Sequence, residues 1–544
     1  MSSEDLLGYA PLLGSPFLAY VTNTDEAEID RRLSGGSLEP HAEGALQAVL
    51  QMAAEWVMRP RRLPAVGRVL FEPPSIALAR FGQRTADAEM SIANHLRHTA
   101  GGELPIIDAS SDPLLAVLLQ DAIDKFPVLL IPTDKSDFLG VSGVGRVRDM
   151  FRFAPRDNEA VIQALKAPGE PLARLLLGDQ SVISEPRIFR SSAGRRSGLS
   201  VMSLTGHVLG SAEERLVMRG DMLTGTCFQA VVREVVEDLR KLAKGHSVEV
   251  PFATGIAGIS LENATSLTTP WGTLRATDER ISSGIDGVDM PTKAMLVGTV
   301  PLRLHFDVTN DEPHIVLPTP TDLADIEREL TERIDKVRLL LLLACTGEAS
   351  AATTATWRRV NDPTSMFAVS WSYPVSVPGL ALDGGVQEEL GRWSSLIETN
   401  YDNTLNLAVR RTLLAVTGSD EPGDALVDAV IALESLFGTG HTEVGFRLST
   451  ALAWLFEDDP AARYTRQQEI TGLYELRSKI VHGSTSSRKL RTEKLAVKAE
   501  RAAQLAVDAL RTLLADRPEL IRAGSERGRQ LVLQAFGDAA NPSG

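Results

Sequence analysis

Apolar positions along this chain change their period several times, and each change marks a different kind of element. GALQAVLQMAAEWVM (44–58) carries its apolar residues at helical spacing, while FPVLLIPTD (126–134) is a short apolar run of the strand-like kind. This mixture predicts an N-terminal α/β or α+β region over residues 1–200, of no recognisable fold. SSAGRRSGLS (191–200) reads as a turn-rich segment or a domain edge from its Gly and Ser content. TCFQAVVREVVEDLRKLAKG (226–245) is helical again and stops in Lys, Lys and Gly, as helices do.

From 246 to about 318 the period becomes two. SVEVPF, GIAGISL, GTLRAT, AMLVGTV and LRLHFDV are short β-prone runs separated by Gly, Pro, Asn and Asp, which predicts an antiparallel sheet or small sandwich. TDLADIERELTERIDKVRLLLLLACTG (321–347) returns to helix, with acidic residues in its first turns and Gly347 past its end. A second strand-like patch, MFAVSWSYPVSV (366–377), follows. Residues 201–392 are therefore expected to form a central antiparallel β-rich domain with flanking helices.

Helical spacing dominates the C-terminal part. Five helices are expected at 393–417, 424–437, 443–457, 466–482 and 489–515, joined by loops holding Gly438, Gly440, Pro460 and Gly483. Leu426, Ala429, Val430, Leu433 and Leu436 form the apolar stripe of the second; Val444, Leu448, Leu452 and Leu455 form that of the third. Short loops between such helices predict an all-α helical bundle over 393–520, with a tail at 521–544. The fold class expected for the whole chain is multidomain α+β.

A length of 544 residues agrees with several domains, and 43% apolar with 23% charged residues is a globular composition. The start, MSSEDLLGYA, is acidic where a secretory signal is basic, and the longest apolar run (339–345) is too short for a bilayer, so a cytoplasmic protein with no membrane contact is expected. Cys227 and Cys345 have no CxxC companion, which speaks against zinc and disulfides. The net charge of -15 excludes a protein that coats nucleic acid over its whole surface. Locally the balance reverses: between 485 and 511, Arg488, Lys489, Arg491, Lys494, Lys498, Arg501 and Arg511 face Glu493, Glu500 and Asp508, giving 7 - 3 = +4. That stretch is either a phosphate-holding surface or an ordinary solvated helix face.

Chemistry concentrates on the fourth helix, RQQEITGLYELRSKIVHG (466–483). Arg477 falls within the stripe of Ile470, Leu473, Tyr474, Ile480 and Val481, where a guanidinium loses solvation and needs a partner. Glu434, on the flank of the second helix's stripe, is one candidate partner. His482 follows five residues after Arg477, which sets the two about 140° apart around an ideal helix, on two sides of a groove rather than one above the other.

ALVDAVIALESLFG (425–438), FRLSTALAWLF (446–456) and LYELRSKIVHG (473–483), in this order and spacing, resemble the ApeA-like branch of the HEPN superfamily over roughly a quarter of the chain, residues 395–515. The resemblance implies a metal-independent endoribonuclease that acts as a homodimer and needs no cofactor. His482 would serve as general base or acid and Arg477 would stabilise charge on the phosphate, with Ser478 and Glu434 supporting and Lys479, Arg488, Lys489 and Arg491 binding RNA. It also implies a toxin-like effector of bacterial antiviral defence, in which residues 1–390 sense a phage-derived or protein trigger. Active members often carry Asn, Asp or His where Ser478 stands, and this departure favours the alternative of a non-catalytic HEPN module for dimerisation or RNA or nucleotide binding.

Other motifs carry less. His95 and His98 lack a third metal ligand. GVSGVGRVRD (140–149) lacks the third Gly of a dinucleotide fingerprint. GSAEERLVMRGDML (210–223) has one Asp where a nucleotidyltransferase needs two, and Arg187, Arg190, Arg195 and Arg196 read as a basic linker.

Overall fold

The structure of the protein is a computed structural model that describes residues 3–57, 60–62, 69–71, 77–84, 90–104, 106–107, 111–132, 158–177, 187–192, 196–261, 266–277, 292–305, 307–310, 312–314, 320–345, 353–364, 369–371, 380–382, 386–417, 421–438, 443–483 and 492–533. Helix predominates and a modest antiparallel sheet accompanies it, so the chain is of mixed α+β character.

Helices Ser15–Thr22, Pro40–Val57, Ile92–Thr99 and α1 (Pro113–Leu129) account for most of the described N-terminal region. The helix expected at 44–58 is present within Pro40–Val57. The apolar run at 126 is not a strand: Phe126–Leu129 is the last turn of α1. Phe126, Pro127 and Val128 are all buried there, and a helix end covered on every side shows no polar face to reveal its period. Asp112 caps α1 by accepting from the Leu115 amide at 3.1 Å.

The ends of the turn-rich segment 191–200 belong to two paired strands. Arg187–Ser191 pairs antiparallel with Arg196–Leu199, Arg190 lies opposite Arg196, and Leu304–His305 adds a third strand. The basic residues read as a linker thus belong to a small sheet; Arg195 lies outside the described residues, as does 140–149.

Two long helices, α2 (Val201–Arg219) and α3 (Gly225–Ala243), lead into the main sheet. One guanidinium of α3, that of Arg240, donates to Asp112 at 2.6 and 2.9 Å and to Glu170 at 2.6 Å, so it holds the caps of two other helices. This contact keeps the Asp112 carboxyl below its ordinary range. The sheet comprises β1 (Val248–Ala257), β2 (Leu267–Thr269), β3 (Gly272–Ala276), β4 (Ala294–Leu302), β5 (Thr354–Val360) and β6 (Val369–Trp371), in the order β6-β5-β1-β4-β3-β2 and antiparallel throughout. Leu380–Leu382 runs parallel to Ile259–Leu261 beside it. β5 has no apolar run to announce it, because TATWRRV mixes Thr and Arg into a half-buried strand.

Asn361, fully buried just after β5, locks the sheet to α2. It accepts from Ser211 Oγ and Arg215 Nε, both at 2.8 Å, and donates to the Ser211 carbonyl at 3.1 Å and Glu214 at 2.8 Å. The stretch 210–223 is accordingly mostly a core helix, its Ser211 and Arg215 spent on packing.

Helix α4 (Pro320–Ala344) touches both sheet and bundle. Arg333 donates to the Thr299 carbonyl of β4 at 2.7 Å, and Arg338 donates to the Thr353 carbonyl at 2.9 Å and Thr417 Oγ1 at 3.0 Å. The bundle follows as α5 (Gln387–Asn400), α6 (Asn406–Thr417), α7 (Pro422–Phe437), α8 (Val444–Phe456), α9 (Pro460–Val481) and α10 (Thr492–Ala515). The single helix expected at 393–417 is broken at a turn where Asp402 accepts from the Thr404 amide at 2.8 Å. α9 begins six residues earlier than 466, because Asp459 caps it and Pro460 fits its first position.

The expected tail also packs. Pro518–Arg522 and α11 (Arg527–Leu533) continue the bundle, and residues 534–544 lie outside the described ones. Arg527 is 1% exposed and donates to the carbonyls of Leu520, Leu436 and Ile521 at 2.8, 2.9 and 3.2 Å. Among the described residues, no helix is long and apolar enough to cross a membrane. Arg527→Met is expected to cost about 3 kcal/mol, since it strands buried carbonyls that ordinarily cost ~1–3 kcal/mol each when unpaired; urea denaturation with an unchanged m-value checks this.

Candidate functional site

Three helix ends meet around Arg477. Ile480 of α9 lies near Gly423 at the start of α7, where a β-carbon would sit 3.9 Å from its Cγ2. Arg477 reaches Glu434 near the end of α7, so the two helices run antiparallel. Helix side chains lean toward their own N-terminus, which lets Arg477 and Glu434 point toward each other across this pair.

Helix α8 packs on α9 through Ser449, which accepts from Gln467 at 3.2 Å, and through Gly445. A β-carbon on Gly445 would lie 2.7 and 2.9 Å from ring atoms of Tyr474, so only glycine lets the two backbones approach this closely. Because Gly445 stands at the start of α8, the last two turns of α9 run past that helix. Those turns carry Arg477, Ser478, Lys479 and His482.

The guanidinium of Arg477 is 23% exposed and donates from Nη2 to Glu434 Oε2 at 3.3 Å. Its Nε is buried and has no hydrogen-bond partner among the described residues. Burial pushes the Glu434 carboxyl above its ordinary range, and the Arg477 charge opposes that rise. His482 is exposed and closes α9, its amide bonding to the Ser478 carbonyl at 3.1 Å. Gly483, at φ +63°, turns the chain away in the left-handed conformation that ends many helices. Ser478 is half-buried. Lys479 is exposed and only loosely paired with Glu475, at 3.9 Å.

The structure thus brings Arg477 and Glu434 together and places Ser478, Lys479 and His482 on the same helix end. Arg488, Lys489 and Arg491 lie outside the described residues. Among the described residues, part of the basic stretch 485–511 is engaged within the fold. Arg501 is held by Glu469 at 2.7 Å, and Arg511 donates to the carbonyls of Leu342 and Leu343 at 3.3 Å, leaving Lys494 and Lys498 exposed. Counting charge along the sequence cannot tell a solvated cation from one that closes another helix.

Sequence reasoning passed over Phe446, which is 62% exposed beside Gly445. Its run, FRLSTALAWLF, looks like one apolar stripe, and only the orientation imposed by Gly445 leaves the ring outside. His95 and His98 are exposed, and no group of three metal-ligating side chains occurs among the described residues. Compared with known proteins, the chain matches no family model, no curated protein and no solved structure.

An imidazole in water and a guanidinium with an unused buried N–H, two turns or less from each other, can exchange protons with and neutralise a phosphodiester. The close approach of α8 to α9 that frames them is testable by stability. Gly445→Ala should destabilise by about 1–3 kcal/mol through the Tyr474 ring. Gly472→Ala, on the exposed side of α9 with nothing within 4 Å, should stabilise by roughly 0.5–1 kcal/mol; paired thermal melts separate the two.

Proposed function

We propose that this protein is a metal-independent endoribonuclease of the HEPN type, acting as a homodimer in the cytoplasm. The observation that carries this reading is that one end of α9 holds both an exposed imidazole, His482, and the guanidinium of Arg477, bound among the described residues by a single long contact. In this reading His482 takes the proton of a ribose 2′-hydroxyl or returns one to the leaving oxygen, and Arg477 neutralises charge that builds on the phosphate. Glu434 holds the guanidinium in place, and Ser478 stands where its hydroxyl supports either group. A dimer brings two such ends to one RNA. Residues 1–390 act as the sensor of a phage-derived or protein trigger, which makes the whole chain a toxin-like effector of antiviral defence.

The second reading is a non-catalytic module for dimerisation or for binding RNA or a nucleotide. The Arg477–Glu434 ion pair favours it, because a carboxylate already neutralises the guanidinium inside the bundle.

Cleavage of RNA by the purified protein decides between them. Arg477→Ala and His482→Ala should each lose about 100-fold or more in rate while staying folded, since one such donor is ordinarily worth ~3 kcal/mol. Cleavage should persist in EDTA. Equal cleavage by both variants removes the catalytic assignment, and RNA binding without cleavage by the wild type selects the module.

A further inference from the structure

Phe446 is a largely exposed aromatic ring next to Gly445, the residue that packs against Tyr474 of α9. It stands in the first turn of α8 and is 62% exposed, whereas Leu448, Ser449 and Leu452 of the same helix are buried. Its position is fixed rather than incidental. Gly445 pins the turn against Tyr474, and Glu443 before it adopts φ +55°, an uncommon conformation for a residue with a side chain. Tyr474 lies one helical turn before Arg477 and Ser478 and eight residues before His482, a rise of roughly 12 Å.

A large ring left in water next to a phosphate-seeking guanidinium is the arrangement that single-stranded nucleic acid uses: backbone held by cations, bases stacked on aromatic faces. Phe446 is flanked along α8 by the exposed charged residues Glu443 and Arg447. A stable interface between copies buries several hundred Å² or more on each partner, so isolated rings fit a base better than a second chain.

We propose that Phe446 is the base-stacking residue of a single-stranded RNA site that continues from Arg477 and His482. The inference rests on the RNA-directed reading above and adds that the substrate is unpaired at the base or bases next to the reacting phosphate. Stacking is sequence-tolerant, so Phe446 confers preference for single strands and none for a particular base. It contributes binding and takes no part in proton transfer.

The test is fluorescence anisotropy with a labelled single-stranded RNA 12-mer and the same RNA as a duplex, using the full chain. Phe446→Ala should bind the single strand about tenfold more weakly, Phe446→Trp should bind it as the wild type does, and duplex binding should be equal in all three. In cleavage assays the Ala variant should raise KM and leave kcat unchanged. Sedimentation of the same samples should show one oligomeric state. Unchanged single-strand binding in Phe446→Ala, failure of Trp to restore it, loss that tracks a change of oligomeric state, or a wild type that binds no single strand each overturns the proposal. The nuclease reading fails separately: binding that depends on Phe446 without cleavage sinks the nuclease and leaves the stacking site, while His482-dependent cleavage indifferent to Phe446 does the reverse.

Discussion

A guanidinium leaves water only when its donors find acceptors, and this chain meets that constraint where helices end. The last carbonyls of a helix have no partner within it, and arginines from distant segments supply one. Arg275 serves the carbonyls of Val217 and Met218 at the end of α2, Arg511 those of Leu342 and Leu343 at the end of α4, and Arg527 that of Leu436 near the end of α7. Arg240 makes the complementary contact, with the carboxylates Asp112 and Glu170 that cap two helix starts. Each of these contacts spans tens of residues or more in sequence, so the cost of burying the charge is offset only when the tertiary structure is complete. The partners then hold one another in place.

Arg477 meets the same constraint with fewer contacts. It is about three-quarters buried, yet among the described residues it makes one bond of 3.3 Å, and its Nε–H is buried without an acceptor there. The acceptor it does have, Glu434, is itself raised in pKa by burial, so the pair is a compromise between two desolvated charges. Arg527, which bonds the Leu436 carbonyl near the same end of α7, has four acceptors and is wholly enclosed. Arg477 is thus bound by fewer contacts among the described residues than Arg527 is.

Much of the architecture follows from local pattern. The helices of the C-terminal region, the helix at 44–58 and the period-two strands from 246 onward are all present, because each has one buried and one solvated face and so shows its period. Elements that break this rule were not legible. The end of α1 is buried all round, and β5 carries Thr and Arg whose partners lie on α2 and α4. The hairpin at 187–199 has the Gly and Ser of a linker, since the same residues serve any tight connection.

The sequence by itself determined which residues have the chemistry for a site: Arg477 in an apolar stripe, His482 before a helix-ending glycine, and Glu434 at a distance that permits pairing. Only the tertiary structure decided what surrounds them. It showed that Glu434 is the partner, that α8 begins beside Tyr474, that Arg501 and Arg511 have partners on other helices, and that Phe446 faces solvent. The reason is physical. Periodicity records which side of an element avoids water, but ion pairs and exposed rings depend on where helices far apart in sequence terminate against one another.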